Sequence, residues 1–225
     1  MPASWFAPVD NYCERTDPSF WSEPLNAVTN VAFLLAAVYA FVHWRRAGGR
    51  DVAVLWLIAV MAVVGIGSFL FHTIAERWAL LADVVPIAVF IYGYFLLAMG
   101  RYLWLRPIAA ILATAAFMAF NIGFEPLWRS VFPQVTLNGS LGYVPAVAAL
   151  LGVGLACLAG KEREAGRALL TAAAVFAISL TFRSLDRFLC TTLPTGTHFL
   201  WHVLNAVVLA ILMETAIAHR RKEIR

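Results

Sequence analysis

Seven stretches free of Asp, Glu, Lys and Arg, at 24–44, 52–75, 84–100, 107–124, 130–160, 168–182 and 188–213, account for most of the chain. Most reach the roughly 17–25 residues that carry a helix across about 30 Å of hydrocarbon. A chain in lipid must satisfy every backbone N–H and C=O internally, so only helices and closed barrels can span. The runs are long, Leu- and Ala-rich and lack period-two alternation, which selects helices. Composition agrees: 62% of the 225 residues are hydrophobic and 13% charged, against roughly 45–50% and 25% in a soluble domain. The sequence therefore predicts an all-α integral membrane protein, a seven-transmembrane helix bundle with helices at about 24–44, 52–73, 78–100, 106–124, 140–160, 167–188 and 197–218. It reads as one membrane domain, 24–218, between an acidic N-terminal segment, 1–23, and a basic tail, 219–225. Soluble enzyme folds, disordered tails and nucleic-acid modules are excluded, and the pI near 9.2 becomes loop charge that sets topology.

Seven spans place the termini on opposite sides. The loops with Arg45, Arg46 and Arg50, with Arg101 and Arg106, and with Lys161, Arg163 and Arg167, plus the tail with Arg220, Arg221, Lys222 and Arg225, hold twelve basic residues. The other side holds five: Arg15, Arg77, Arg129, Arg183 and Arg187. Short positive loops stay cytoplasmic, so the reading is N-terminus outside and C-terminus cytoplasmic. Trp44 and Trp104 then fall at inner ends and Trp78 and Trp128 at outer ends, where indole favours the headgroup zone. The first twenty residues lack a basic region followed by an apolar one, so no cleavable signal peptide is expected.

Ionisable residues inside spans are costly and mark function. In this topology His72 ends the second helix, Asp83 lies in the second turn of the third, and His198 and His202 open the seventh, all at one outer-leaflet depth. The i,i+4 spacing stacks His198 and His202 on one helix face. Neutral imidazole is a common zinc ligand, and three ligands with an open fourth position make a catalytic zinc site. The competing reading is a set of interfacial histidines bonded to backbone or headgroup; the coplanar third His and Asp favour ligation. His43 and His219, at inner ends, have no expected partners. Ser68 shares a helix face with His72 and can donate to an oxyanion, although a serine beside Gly65 and Gly67 also suits helix packing. Asp83 is either a fourth ligand or an unligated base. Glu214 receives no role.

The segments Cys13-Glu14, Ser22 to Asn30, Gly65 to His72, Leu81-Ala82-Asp83, Arg183 to Cys190 and His198 to His202 resemble the alkaline ceramidase family, within a superfamily of seven-helix hydrolases that includes adiponectin-type receptors. The similarity runs from about residue 9 to residue 218 and follows one pattern: Ser-x3-His, eleven residues to Asp, then a distant His-x3-His. It implies that His72, His198 and His202 hold zinc, that Asp83 is the base without ligating, and that Ser68 polarises the carbonyl. The implied reaction is hydrolysis of a ceramide-like membrane lipid to a long-chain base and a fatty acid. The resemblance also implies a calcium site in the N-terminal segment. Hard cations need several oxygens, and Asp10, Asn11, Tyr12, Glu14, Asp17 and Glu23 are the donors on offer. The pattern departs here, because Asp-Trp-Cys-Glu reads Asn11-Tyr12-Cys13-Glu14 and the gap from Glu14 to Glu23 is short. A solvated acidic segment is the alternative.

The topology puts Cys13 and Cys190 outside, where disulfides persist, and Cys157 near the inner face. A Cys13–Cys190 bridge with Cys157 free is expected, and the resemblance suggests the same pairing. Arg183 and Asp186, spaced i,i+3, are expected to pair structurally, with headgroup contact as the alternative. Competing functions are a related lipid esterase or acyl-amide hydrolase, which would use the same metal chemistry, and an adiponectin-receptor-like receptor, which usually carries a longer N-terminal region. The seventh span has no lysine for a retinal Schiff base. Arginine far outnumbers lysine and alanine is abundant, which favours a bacterial inner membrane over an endoplasmic reticulum or Golgi membrane.

Overall fold

The computed structural model describes residues 4–223; the end of the basic tail, 224–225, lies outside them. Seven helices are long and apolar enough to cross a membrane: α1 (Pro24–Arg46), α2 (Val52–Ile74), α3 (Arg77–Arg101), α4 (Pro107–Val131), α5 (Leu141–Ala159), α6 (Arg163–Phe188) and α7 (His198–Glu223). No strand is present among the described residues, only an isolated bridge between Pro8 and Glu76. With this many apolar helices the chain is an integral membrane protein.

The helices follow one another around a ring, and α1 closes it against α7. Large apolar side chains such as Leu35, Ile108, Leu112 and Ile122 point outward and are mostly exposed, which is tolerable only where lipid replaces water. The inner contacts use small residues, among them Ala36, Ala37 and Ala40 on α1, because small side chains let helix backbones approach closely.

Three boundaries differ from the sequence reading by four residues or more, and one is the end of α7, which runs to Glu223. Helix α4 continues past Glu125 to Val131, where Arg129 pairs with Glu125 one turn earlier at 2.7 Å; charged residues end an apolar run without ending the helix. Helix α6 begins at Arg163, four residues earlier than expected, because an amphipathic first turn is invisible to a search for charge-free sequence. A break at Asn30 also divides α1 into Pro24–Thr29 and Val31–Arg46.

At the end of the bundle away from the N-terminal segment, His43 and His219 do have partners, contrary to expectation. His43 Nδ1 lies 2.7 Å from the Glu214 carboxylate and His219 Nε2 lies 2.9 Å from that of Glu162. The first pair joins α1 to α7, and the second joins α7 to the residue that precedes α6. Arg101 closes the same end, pairing with Asp51 at 2.8 Å and donating to the Ala216 carbonyl. The Asp51 carboxylate also accepts from the Val54 N–H and so caps α2.

Candidate metal centre

The α2–α3 contact is the most extensive in the bundle, and its geometry begins with a glycine. A Cβ at Gly67 would run into the Ala82 carbonyl oxygen, so the absence of a side chain lets α3 lie against α2 at that level. The next residue on α3 is Asp83, and the next on α2 is Ser68. Ser68 and Asp83 consequently lie side by side across the interface and line one cavity.

His72, His198 and His202 converge here, each at most 1% exposed. One ring nitrogen from each lies within 4.8 Å of the others, so the group is able to hold a metal ion. Each also has a buried ring nitrogen without a hydrogen-bond partner: His72 Nε2, His198 Nδ1 and His202 Nε2. Burying three unpaired polar atoms together is costly unless something binds them. The donor set suits zinc, which favours imidazole nitrogen.

The opposite ring nitrogens are fixed by neighbours. His72 Nδ1 lies 2.6 Å from a Glu23 carboxylate oxygen, and His202 Nδ1 lies 3.0 Å from the Thr29 hydroxyl. Both partners come from the start of α1, and each leaves Nε2 of its imidazole for a ligand, the role that outer partners play around metal-bound histidines. His198 is placed through its backbone: its N–H and that of Thr197 donate to Asp186 Oδ1 at 2.9 and 2.7 Å, satisfying the open start of α7. The Tyr12 ring stacks on His198 with centroids 3.6 Å apart. Burial pushes the Tyr12 phenol up, so it stays neutral.

Below the histidines lies an apolar cavity. Ser68, Asp83 and His202 line it at the histidine end, and apolar side chains including Phe90, Phe117, Leu150 and Phe176 line it farther down. A family model described as Ceramidase matches residues 10–223. The chain belongs to the ceramidase family. No curated protein matches it. Membership supports a membrane hydrolase acting on an amide of the ceramide class.

Other residues singled out in the ceramidase sequence are placed as follows. Cys13 and Cys190 form a disulfide, and Cys157 is free and buried. Both Glu14 oxygens accept backbone N–H bonds, from Leu25 at 2.7 Å and Asn26 at 2.8 Å, so it caps α1. Burial pushes its carboxyl up against those two bonds, which pull the other way. Glu23 bonds Arg15 and Asn26 besides His72. Burial raises its carboxyl, but the bonds from His72, Asn26 and Arg15 outweigh it and hold the group below the usual range. Asp10 and Asp17 are exposed and Asn11 is half-buried. Asp17 accepts from the Ser19 N–H at 2.7 Å.

Arg183 and Asp186 form no ion pair among the described residues, contrary to the i,i+3 expectation. Asp186 is consumed by backbone donors, including the Cys13 N–H at 3.0 Å. Arg183 instead donates to the Asn138 carbonyl at 2.9 Å and lies over the rings of Tyr12, Tyr143 and Trp201. Facing aromatic rings satisfies a guanidinium without a carboxylate. The outer roles of Glu23, Thr29 and Asp186 had no signature in sequence, since no spacing rule links groups on separate elements.

Proposed function

We propose that the chain is a zinc-dependent amide hydrolase that cleaves ceramide-type sphingolipids to a long-chain base and a fatty acid. The observation that carries this reading is the set of three buried, unpartnered imidazole nitrogens at the end of an apolar cavity shared with Ser68 and Asp83. In it His72, His198 and His202 would hold the ion. A zinc ion in such a site polarises a carbonyl and makes a water acidic near neutral pH. Asp83 accepts the proton of the attacking water and returns it to the amine, so that amide plus water yields amine plus acid. Ser68 donates to the carbonyl oxygen as charge develops there. The apolar cavity takes an aliphatic chain, which holds the amide at the level of the histidines.

The basic residues of the loops at the opposite end support an outward-facing site, with 24–218 as the hydrolase bundle, 1–23 as the acidic segment that precedes it and 219–225 as the cytoplasmic tail. The composition supports a bacterial inner membrane.

Ligands and base separate experimentally. His198→Ala or His202→Ala should lose both zinc and hydrolysis. Asp83→Asn should keep zinc, by elemental analysis of the purified protein, and lose fatty-acid release from a panel of ceramides, with a loss of about 10²–10⁴-fold. An Asn variant that loses zinc as completely as the His variants makes Asp83 a ligand and removes it as base. Hydrolysis of ester lipids but of no ceramide would move the substrate to the esterase alternative.

A further inference from the structure

The N-terminal segment is folded around a buried cation that the chain supplies itself. The Arg15 side chain is 5% exposed. Its Nε meets Glu23 Oε1 at 2.5 Å. Nη1 donates to the Asp17 carbonyl at 3.1 Å and the Ser19 carbonyl at 3.4 Å, and Nη2 donates to the His72 carbonyl at 3.1 Å. The loop is held in this shape by Ser22, whose hydroxyl accepts from the Thr16 and Asp17 N–H groups. One carboxylate and three backbone carbonyls therefore enclose the guanidinium. That is an all-oxygen, singly anionic set of the kind a hard divalent cation takes, with a side chain at its centre.

The donors expected to hold calcium are otherwise engaged. Both oxygens of Glu14 cap α1, and the second oxygen of Glu23 faces His72 and Asn26. Tyr12 is packed on His198.

We propose that Arg15 is a built-in cation in place of calcium: its guanidinium fills the oxygen cage, holds segment 15–23 over the histidines, and fixes the Glu23 carboxylate that orients His72. A fixed guanidinium has geometric consequences that a free ion lacks. It cannot dissociate, and its fork binds the carboxylate and the His72 carbonyl at once, joining the segment directly to the last turn of α2. Removing it leaves four oxygens around a vacated, negatively charged position, to which a divalent cation can be recruited.

The test reads thermal stability and calcium binding of the purified full-length, disulfide-bonded protein in calcium-stripped buffer. Neither readout needs hydrolysis, and each Tm is compared with and without calcium at equal zinc content, so the test stands or falls apart from the proposed activity. Wild type should contain no calcium by elemental analysis, and millimolar calcium should leave its Tm unchanged. Arg15→Ala should lower Tm by about 5–10 °C, since it leaves one oxygen of a buried carboxylate without its cation, and millimolar calcium should restore several degrees by binding the folded state. Stoichiometric calcium in the wild type, or a wild-type Tm that rises with calcium, overturns the proposal. A folded Arg15→Ala protein with no calcium response overturns it too. Where Arg15→Ala fails to fold, Arg15→Lys decides: a folded protein whose Tm ignores calcium supports a resident cation, and one that also fails to fold overturns it.

Discussion

Glu23 is the residue on which the N-terminal segment and the histidine group meet. Its carboxylate spans two buried positively charged or proton-bearing partners, Arg15 on one oxygen and His72 on the other. Glu23→Gln keeps the shape and loses the charge, so the proposed zinc site should weaken through the orientation of His72. Loss of an outer partner of a ligating histidine typically costs 10–100-fold in metal affinity, and competition with a chromophoric zinc chelator measures it. An affinity equal to wild type would show that Glu23 does not act on the metal through His72. Asp186 is the corresponding residue for His198. Asp186→Ala removes the carboxylate that accepts three backbone N–H bonds at once, from Cys13, Thr197 and His198. It should be among the most destabilising single changes, since the donors left behind are buried and each unsatisfied group costs about 1–3 kcal/mol.

Helix contacts decide how those residues meet. The α2–α3 interface at Gly67 sets the distance from Ser68 and His72 to Asp83, and no other residue fits there. Gly67→Ala should push the two helices apart near Ala82, costing about 1–3 kcal/mol from overpacking and lowering hydrolysis more than zinc content, because Asp83 shifts while the three histidines keep their own supports. Chemical denaturation beside turnover and metal analysis checks both halves. Gly100→Ala is the control: a Cβ there meets nothing within 4 Å, so neither stability nor activity should fall. The α7 start depends on a second glycine. Gly196 has φ +61°, and a Cβ would collide with the Asp186 carboxylate that caps the helix, so the loop before His198 is tied to the site by the same constraint.

For the whole molecule, the Cys13–Cys190 bridge joins positions 177 residues apart and encloses most of the bundle. Closing so long a loop restricts the unfolded chain by roughly 4–5 kcal/mol in the entropic model, with measured gains often smaller. Cys13→Ser with Cys190→Ser should lower Tm, and reductant should lower the wild-type Tm to the same value; no change under reduction would mean that the bridge carries no stability. The sequence by itself determined the number of helices, the apolar outer surface and the residue types of the site, because lipid demands long charge-free helices and leaves few ionisable groups to choose among. The spacing His-x3-His was legible for the same reason, being local to one helix. What only the tertiary structure decided lies between elements. Thr29 and Glu23 orient His202 and His72, Asp186 caps α7 in place of pairing with Arg183, and His43 and His219 meet Glu214 and Glu162 across elements. Arg15, which in sequence is one more outer basic residue, becomes the centre of an oxygen cage. None of these has a sequence period, because each depends on which helix lies beside which, and that is set by the summed packing of small and large side chains over the whole bundle.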